Sequence, residues 1–254
     1  MSERAVISAY RFGGLKGLIS HLAIRTFGEA HMLNLASSVN YRNAGMKCTR
    51  EELEFLERLL PNFNHEQINE ALKHAKSLPE LNDKNSIALT HPERWNAGKG
   101  LQYIIASLVL LLRPTLVVET GTANGSSALA ISSAMNSVGS GKLLSIDIKL
   151  CDAPLVPTNL RKYIEFVQLG GSKKGLQDLL ETRFSAATFK SSMFLHDSDH
   201  SYIGQINEYK IARKLGFSVL ISDDVDTSLA FTDFAGENGV VMYDSPKFIG
   251  GVVL

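Results

Sequence analysis

From about residue 98 to residue 254, short continuous apolar runs alternate with longer stretches of helical periodicity. The pattern predicts helices at 98–112, 126–136, 173–183 and 202–214. Between them it predicts strands at 115–119, 142–147, 164–169, 192–197 and 217–222, then a pair at 239–243 and 248–253. Repeated strand–helix units demand a mostly parallel sheet with right-handed crossovers, an α/β fold. The last two strands flank Asp244-Ser245-Pro246-Lys247 and read as an antiparallel hairpin, with Gly250-Gly251 as a bulge or kink.

Residues 1–97 carry a different pattern, helical and without a convincing strand. Thr49 and Glu52 fit a capping box ahead of a helix at about 50–60, which Pro61 stops. A second helix holds Ile68, Ala71, Leu72 and Ala75. The predicted organisation is a helical N-terminal cap or lid region over 1–97 and a ligand-binding α/β domain over 98–254. The cap helices either wall a substrate site or simply pack on the body. Arg4, Arg11, Lys16 and Arg25 interleave with Val6, Ile7, Leu15, Leu18, Ile19 and Leu22, which predicts an amphipathic helix suited to packing on the body or on a second copy in a homo-oligomer.

Composition narrows the partners. The 26 basic and 26 acidic side chains cancel, so no overall field draws the chain onto a phosphate backbone, and nucleic acid is not the expected partner. The longest apolar run, Tyr103 to Leu112, is far short of the roughly 20 residues that span a bilayer. Two cysteines, Cys48 and Cys151, form neither a disulfide framework nor a four-ligand zinc pattern and suit a reducing, cytoplasmic setting.

The chemistry concentrates where apolar runs end. Leu116-Val117-Val118 leads into Glu119-Thr120-Gly121-Thr122-Ala123-Asn124-Gly125 and then Ser126-Ser127, a buried strand delivering a glycine-containing loop to a helix that Ser126 or Ser127 can cap. The next run, Leu143-Leu144-Ser145-Ile146, ends in Asp147, whose carboxylate can accept both hydroxyls of a ribose. The glycines do not make a GxGxxG fingerprint, which disfavours an NAD-dependent oxidoreductase. The E-x-G-x-x-x-G pattern followed by Asp147 resembles motif I and the next acidic motif of class I S-adenosylmethionine-dependent methyltransferases. That resemblance implies a Rossmann-like sheet of seven strands with a terminal antiparallel hairpin, and S-adenosylmethionine as cofactor. It places Glu119 and Gly121 at the amino-acid end of the cofactor and implies Thr122, Asn124, Gly125 and Ser126 of the same loop as further cofactor-binding residues. Asp147 falls at the ribose and Ser172 near the adenine, although Gly171 stands where related proteins carry an acid.

Two further runs end in carboxylates, Met193-Phe194-Leu195-His196-Asp197-Ser198-Asp199-His200 and Val219-Leu220-Ile221-Ser222-Asp223-Asp224. In an open parallel sheet these ends converge on one crevice. Three clustered carboxylates are costly unless a cation neutralises them, and oxygen donors suit a hard ion, Mg²⁺ or alternatively Mn²⁺ or Ca²⁺. The arrangement resembles bacterial metal-dependent O-methyltransferases of the macrocin type, which act on sugar hydroxyls of natural products. It implies Asp197, Asp223 and Asp224 as metal ligands, with Asp197 also beside the cofactor. His200, at the same mouth, suits a general base that takes a proton from a small hydroxylated acceptor, and Asp199 suits its orientation. The competing reading is a cofactor-fold binding module without catalysis, for which this acidic set has no use.

Overall fold

A computed structural model describes residues 41, 44–82, 87–170, 173–245 and 247–254. The amphipathic segment before residue 41 and Ser172 lie outside the described residues. Eight strands form one sheet: β1 Lys47–Thr49, β2 Leu116–Thr120, β3 Lys142–Asp147, β4 Ile164–Gln168, β5 Ser192–His196, β6 Val219–Ser222, β7 Val240–Asp244 and β8 Lys247–Val253. Their spatial order is β1-β7-β8-β6-β5-β2-β3-β4. Every pairing is parallel except those of β8 with β6 and β7.

The helices are α1 Glu52–Leu59, α2 His65–Ser77, α3 Pro79–Asn82, α4 Lys99–Leu112, α5 Ser126–Val138, α6 Lys173–Arg183, α7 Ala186–Phe189, α8 Tyr202–Leu215 and α9 Ala230–Ala235. β2, β5 and β6 are buried along their whole length because helices cover both faces, which is why they read as unbroken apolar runs. One core layer joins Phe55, Leu56, Ile68 and Leu72 of α1 and α2 to Leu101, Ile104 and Leu108 of α4 and to Val117 of the sheet. The opposite layer packs Tyr209, Phe231 and Phe234 of α8 and α9 on Val118, Phe194 and Leu220.

Four local expectations change. The N-terminal region does contain a strand: β1 pairs in parallel with β7, Lys47 opposite Val240 and Thr49 opposite Met242, so the sheet has eight strands, not seven. Thr49 is part of that strand and its Oγ1 donates to the Val241 carbonyl, which leaves no capping box with Glu52. The box occurs at α2 instead, where Asn64 and Gln67 bond reciprocally. Gly250 and Gly251 are no bulge but regular ladder residues, paired with both β6 and β7. Their missing side chains make room for the Phe231 and Phe55 rings, each 2.7 Å from where a Cβ would stand.

Candidate active site

The sheet reverses direction of growth at β2, which lies between β3 and β5, and a cleft of about 800 Å³ opens over the carboxyl ends of the strands there. Thr120 and Gly121 follow β2 into it, Asp147 ends β3, Asp197 to His200 follow β5, Asp224 follows β6, and Lys247 starts β8. The volume suits a cofactor together with a small acceptor.

On the β2 side, Gly121 has φ +90°, and its amide donates to the Ile146 carbonyl at 2.8 Å. A Cβ there would stand 1.8 Å from the Asp197 carbonyl oxygen. The sequence reasoning credited this glycine with letting a cofactor approach; the structure adds a nearer neighbour, the backbone of the loop after β5. Asp147 Oδ2 accepts the Thr122 amide at 2.8 Å, which ties the glycine loop to β3 and leaves the carboxylate on the cleft wall.

The other loop residues named from the sequence turn inward. Glu119 is fully buried and accepts from Ser145 Oγ. Burial pushes its carboxyl up to about 7, against the opposing pull of the Ser127 and Ser145 hydroxyls. Thr122 Oγ1 bonds Ser145 Oγ at 2.8 Å. Asn124 is a splint: its Oδ1 accepts the Thr90 and His91 amides, and its Nδ2 donates to the His91 carbonyl and Asn96 Oδ1. Ser126 Oγ accepts the Ala97 amide and Gly125 is the residue that precedes α5, so neither serine caps the helix. These bonds hold the segment from Thr90 to Ala97 over the cleft. His91, Arg94 and Trp95 of that segment line it, whereas α1 and α2 serve the core. The 52 % exposed Trp95, with Ile148 and Ile203 across the opening, gives the rim an apolar face.

Asp197, His200 and Asp224 meet in the cleft, whereas Asp223 is buried and does not line it. His200 Nε2 stands 3.5 Å from Asp224 Oδ2 and 3.9 Å from Asp197 Oδ1. Burial lowers the His200 pKa, with Asp224 acting in the opposite sense, so the imidazole is neutral near pH 7. Burial, reinforced by the charge of Asp223, holds Asp197 well above the usual carboxylate range. Asp223 is pushed up to about 6 by burial and by Asp224. Asp199 accepts from the Ser201 amide and hydroxyl at the start of α8 and does not reach His200 by a hydrogen bond.

Three residues escaped the sequence reading. Lys247 Nζ lies 2.9 Å from Asp223 Oδ2 and 3.2 Å from Asp224 Oδ2, inside the carboxylate cluster. The sequence presented it only as part of a hairpin turn. Glu208, on α8, accepts from Thr120 Oγ1 and Ser198 Oγ, bonds His196 Nδ1, and so fastens the ends of β2 and β5 beneath the cleft. Asp226 Oδ1 accepts the Phe248 amide at 3.1 Å and fixes the start of β8. No motif marks the last two, because their partners lie far away in the chain.

Among the described residues no three Asp, Glu, His or Cys side chains are drawn close enough together to grip an ion as they stand. No helix among them is long and apolar enough to cross a membrane.

Residues 101–223 match the sequence profile of the family described as Rhamnosyl O-methyltransferase/CmcI. No curated protein matches. Similar solved structures include an O-methyltransferase from Bacillus cereus in complex with SAH, 14 % identical, covering 79 % of this chain and 96 % of its own at a TM-score of 0.46. Another is the O-methyltransferase TomG from Streptomyces achromogenes, involved in tomaymycin synthesis and in complex with SAM, 17 % identical, covering 72 % and 89 % at a TM-score of 0.43.

Proposed function

We propose that this class I S-adenosylmethionine-dependent O-methyltransferase moves the sulfonium methyl to a sugar hydroxyl of a small natural product, using His200 as base and a divalent ion at Asp197, Asp223 and Asp224. The observation that carries the reading is the meeting of two half-sites in one cleft: Gly121 and Asp147 at the ends of β2 and β3, and Asp197, His200 and Asp224 at the ends of β5 and β6. A cofactor site alone has no need of the second half.

Asp147 would accept the ribose hydroxyls of the cofactor, and the loop at Gly121 and Ala123, backed by the buried Glu119, would carry its amino-acid end. The His200 imidazole, neutral because burial disfavours its charge, takes the hydroxyl proton as the oxygen attacks the methyl carbon; the sulfonium leaves as a neutral thioether. Asp224 beside Nε2 then stabilises the imidazolium that forms. Trp95 and the apolar rim would hold the acceptor's body and exclude water, so that the attacking oxygen is lined up with the methyl group.

Three carboxylates are the donor type that a hard cation takes. Burial holds Asp197 and Asp223 above the carboxylate range, with Asp223 adding to it at Asp197 and Asp224 adding to it at Asp223, against the pull of Lys247. Such an ion, Mg²⁺ or alternatively Mn²⁺ or Ca²⁺, would supply a Lewis acid that lowers the pKa of the acceptor hydroxyl and orients it. The sugar preference rests on the similarity to the rhamnosyl O-methyltransferase family together with Trp95 at the rim.

Methyl transfer from S-adenosylmethionine to a panel of rhamnosides and catechols tests this reading. His200→Ala should lose about 10²–10⁴-fold in kcat while cofactor affinity, measured by calorimetry, stays unchanged. The acidic limb of the wild-type pH–rate profile should lie below the ordinary histidine range near 6.5, because burial lowers this pKa, and should vanish in the variant. Turnover near wild type with the limb intact would take the base role from His200, and turnover of catechols alone would overturn the sugar assignment.

A further inference from the structure

The Lys247 ammonium occupies the position where a counter-ion for Asp223 and Asp224 is needed. We propose that Lys247 is a resident counter-ion which keeps the carboxylates gathered when no divalent ion is bound and must leave their oxygens when one binds. The proposal rests on the ion-binding reading given above and adds to it a residue that sets how tightly the ion is held.

The geometry is built into the fold. Lys247 opens β8, the strand antiparallel to β6, and the carboxyl end of β6 delivers Asp223 and Asp224. The next residue, Phe248, is tied through its amide to Asp226 on the same acidic loop. The base of the lysine stem is therefore fixed relative to both carboxylates, and its ammonium bridges their Oδ2 atoms rather than roaming at the surface.

An ammonium and a divalent ion cannot share these oxygens. An ion held by Asp197, Asp223 and Asp224 would sit beside the ammonium on the same carboxylates, and two cations at close range repel strongly where water is scarce. As the cluster stands, its carboxylates are arranged about the ammonium, in keeping with the lack of a ready three-donor group. Asp224 Oδ2 also faces His200 Nε2, so release of the ammonium changes the field at the base as well.

The test measures ion binding directly, from the electron paramagnetic resonance signal of free Mn²⁺ titrated with the whole protein in the presence of S-adenosylhomocysteine. Lys247→Met keeps the stem and removes the charge. It should bind Mn²⁺ at least about tenfold more tightly than wild type, the factor that corresponds to losing a modest like-charge repulsion. Lys247→Arg, which keeps the charge, should not tighten it. Without ion the methionine variant should unfold at a lower temperature than wild type, and Mn²⁺ should restore it. Should that variant fold only with Mn²⁺ present, the counter-ion role is supported in its strongest form; failure to fold even then would overturn it. If wild type binds Mn²⁺ and Lys247→Met binds no more tightly, the competition is refuted while the ion site stands. If neither binds, the ion reading falls and this proposal falls with it.

Discussion

Glu119, one residue before the end of β2, is a fully buried acid, and its chemistry depends on which protonation state the fold prefers. Its carboxyl is raised from an ordinary 4.5 to about 7, burial being the main cause. The protonated form is the one the fold favours, so this group's contribution to stability is fully present below pH 4.5 and is lost as pH rises toward 7. A shift of that size corresponds to roughly 3 kcal/mol. Glu119→Gln keeps an acceptor for Ser145 and cannot ionise. Urea unfolding of the cofactor-free protein across that window should show a shallower decline for the variant than for wild type, with the variant the more stable at pH 8. Parallel curves would mean that Glu119 is not protonated in the fold. At this scale the sequence pointed to Asp147, Asp197, His200 and Asp224, which the fold brings to one cleft, because each lies at or shortly after the end of an apolar run. It concealed Lys247, Glu208 and Asp226, whose partners in the cluster are set by strand order and not by spacing.

Among elements, the strands were legible wherever both faces are covered, and their predicted limits stand within a residue or two of β2 to β8. β1 was not, since Lys47-Cys48-Thr49 offers neither an apolar run nor an alternation and owes its conformation to the β7 edge. Pairing also explains Gly121. The β2–β5 register carries Thr120 opposite His196 and the Asp197 amide onto the Thr120 carbonyl, which leaves no room for a side chain at the next position. Gly121→Ala would have to push the two strand ends apart at a backbone angle that alanine resists. We expect a loss of about 2–4 kcal/mol, from strain and overpacking together. Chemical denaturation measures it, and a cost below about 0.5 kcal/mol would show that the strand ends yield freely. Weaker cofactor binding in that variant would then follow from a displaced Asp197, not from a blocked approach.

For the molecule as a whole, α1 and α2 bury Phe55, Leu56, Ile68 and Leu72 in the same layer as α4, so the N-terminal region is part of the core that supports the cleft. Its pairing with β7 has a further consequence. β7 donates and accepts hydrogen bonds on both sides, toward β8 and toward β1. A chain shortened to begin at residue 98 would uncover one whole side of an apolar strand, Val240-Val241-Met242, as an open row of amide and carbonyl groups. Such a row accepts any passing strand, another copy included. The shortened chain should therefore self-associate, seen as a shift to large species in light scattering at concentrations where the full chain shows none. A short, inconspicuous three-residue strand thus acts as a guard against fibre-like stacking.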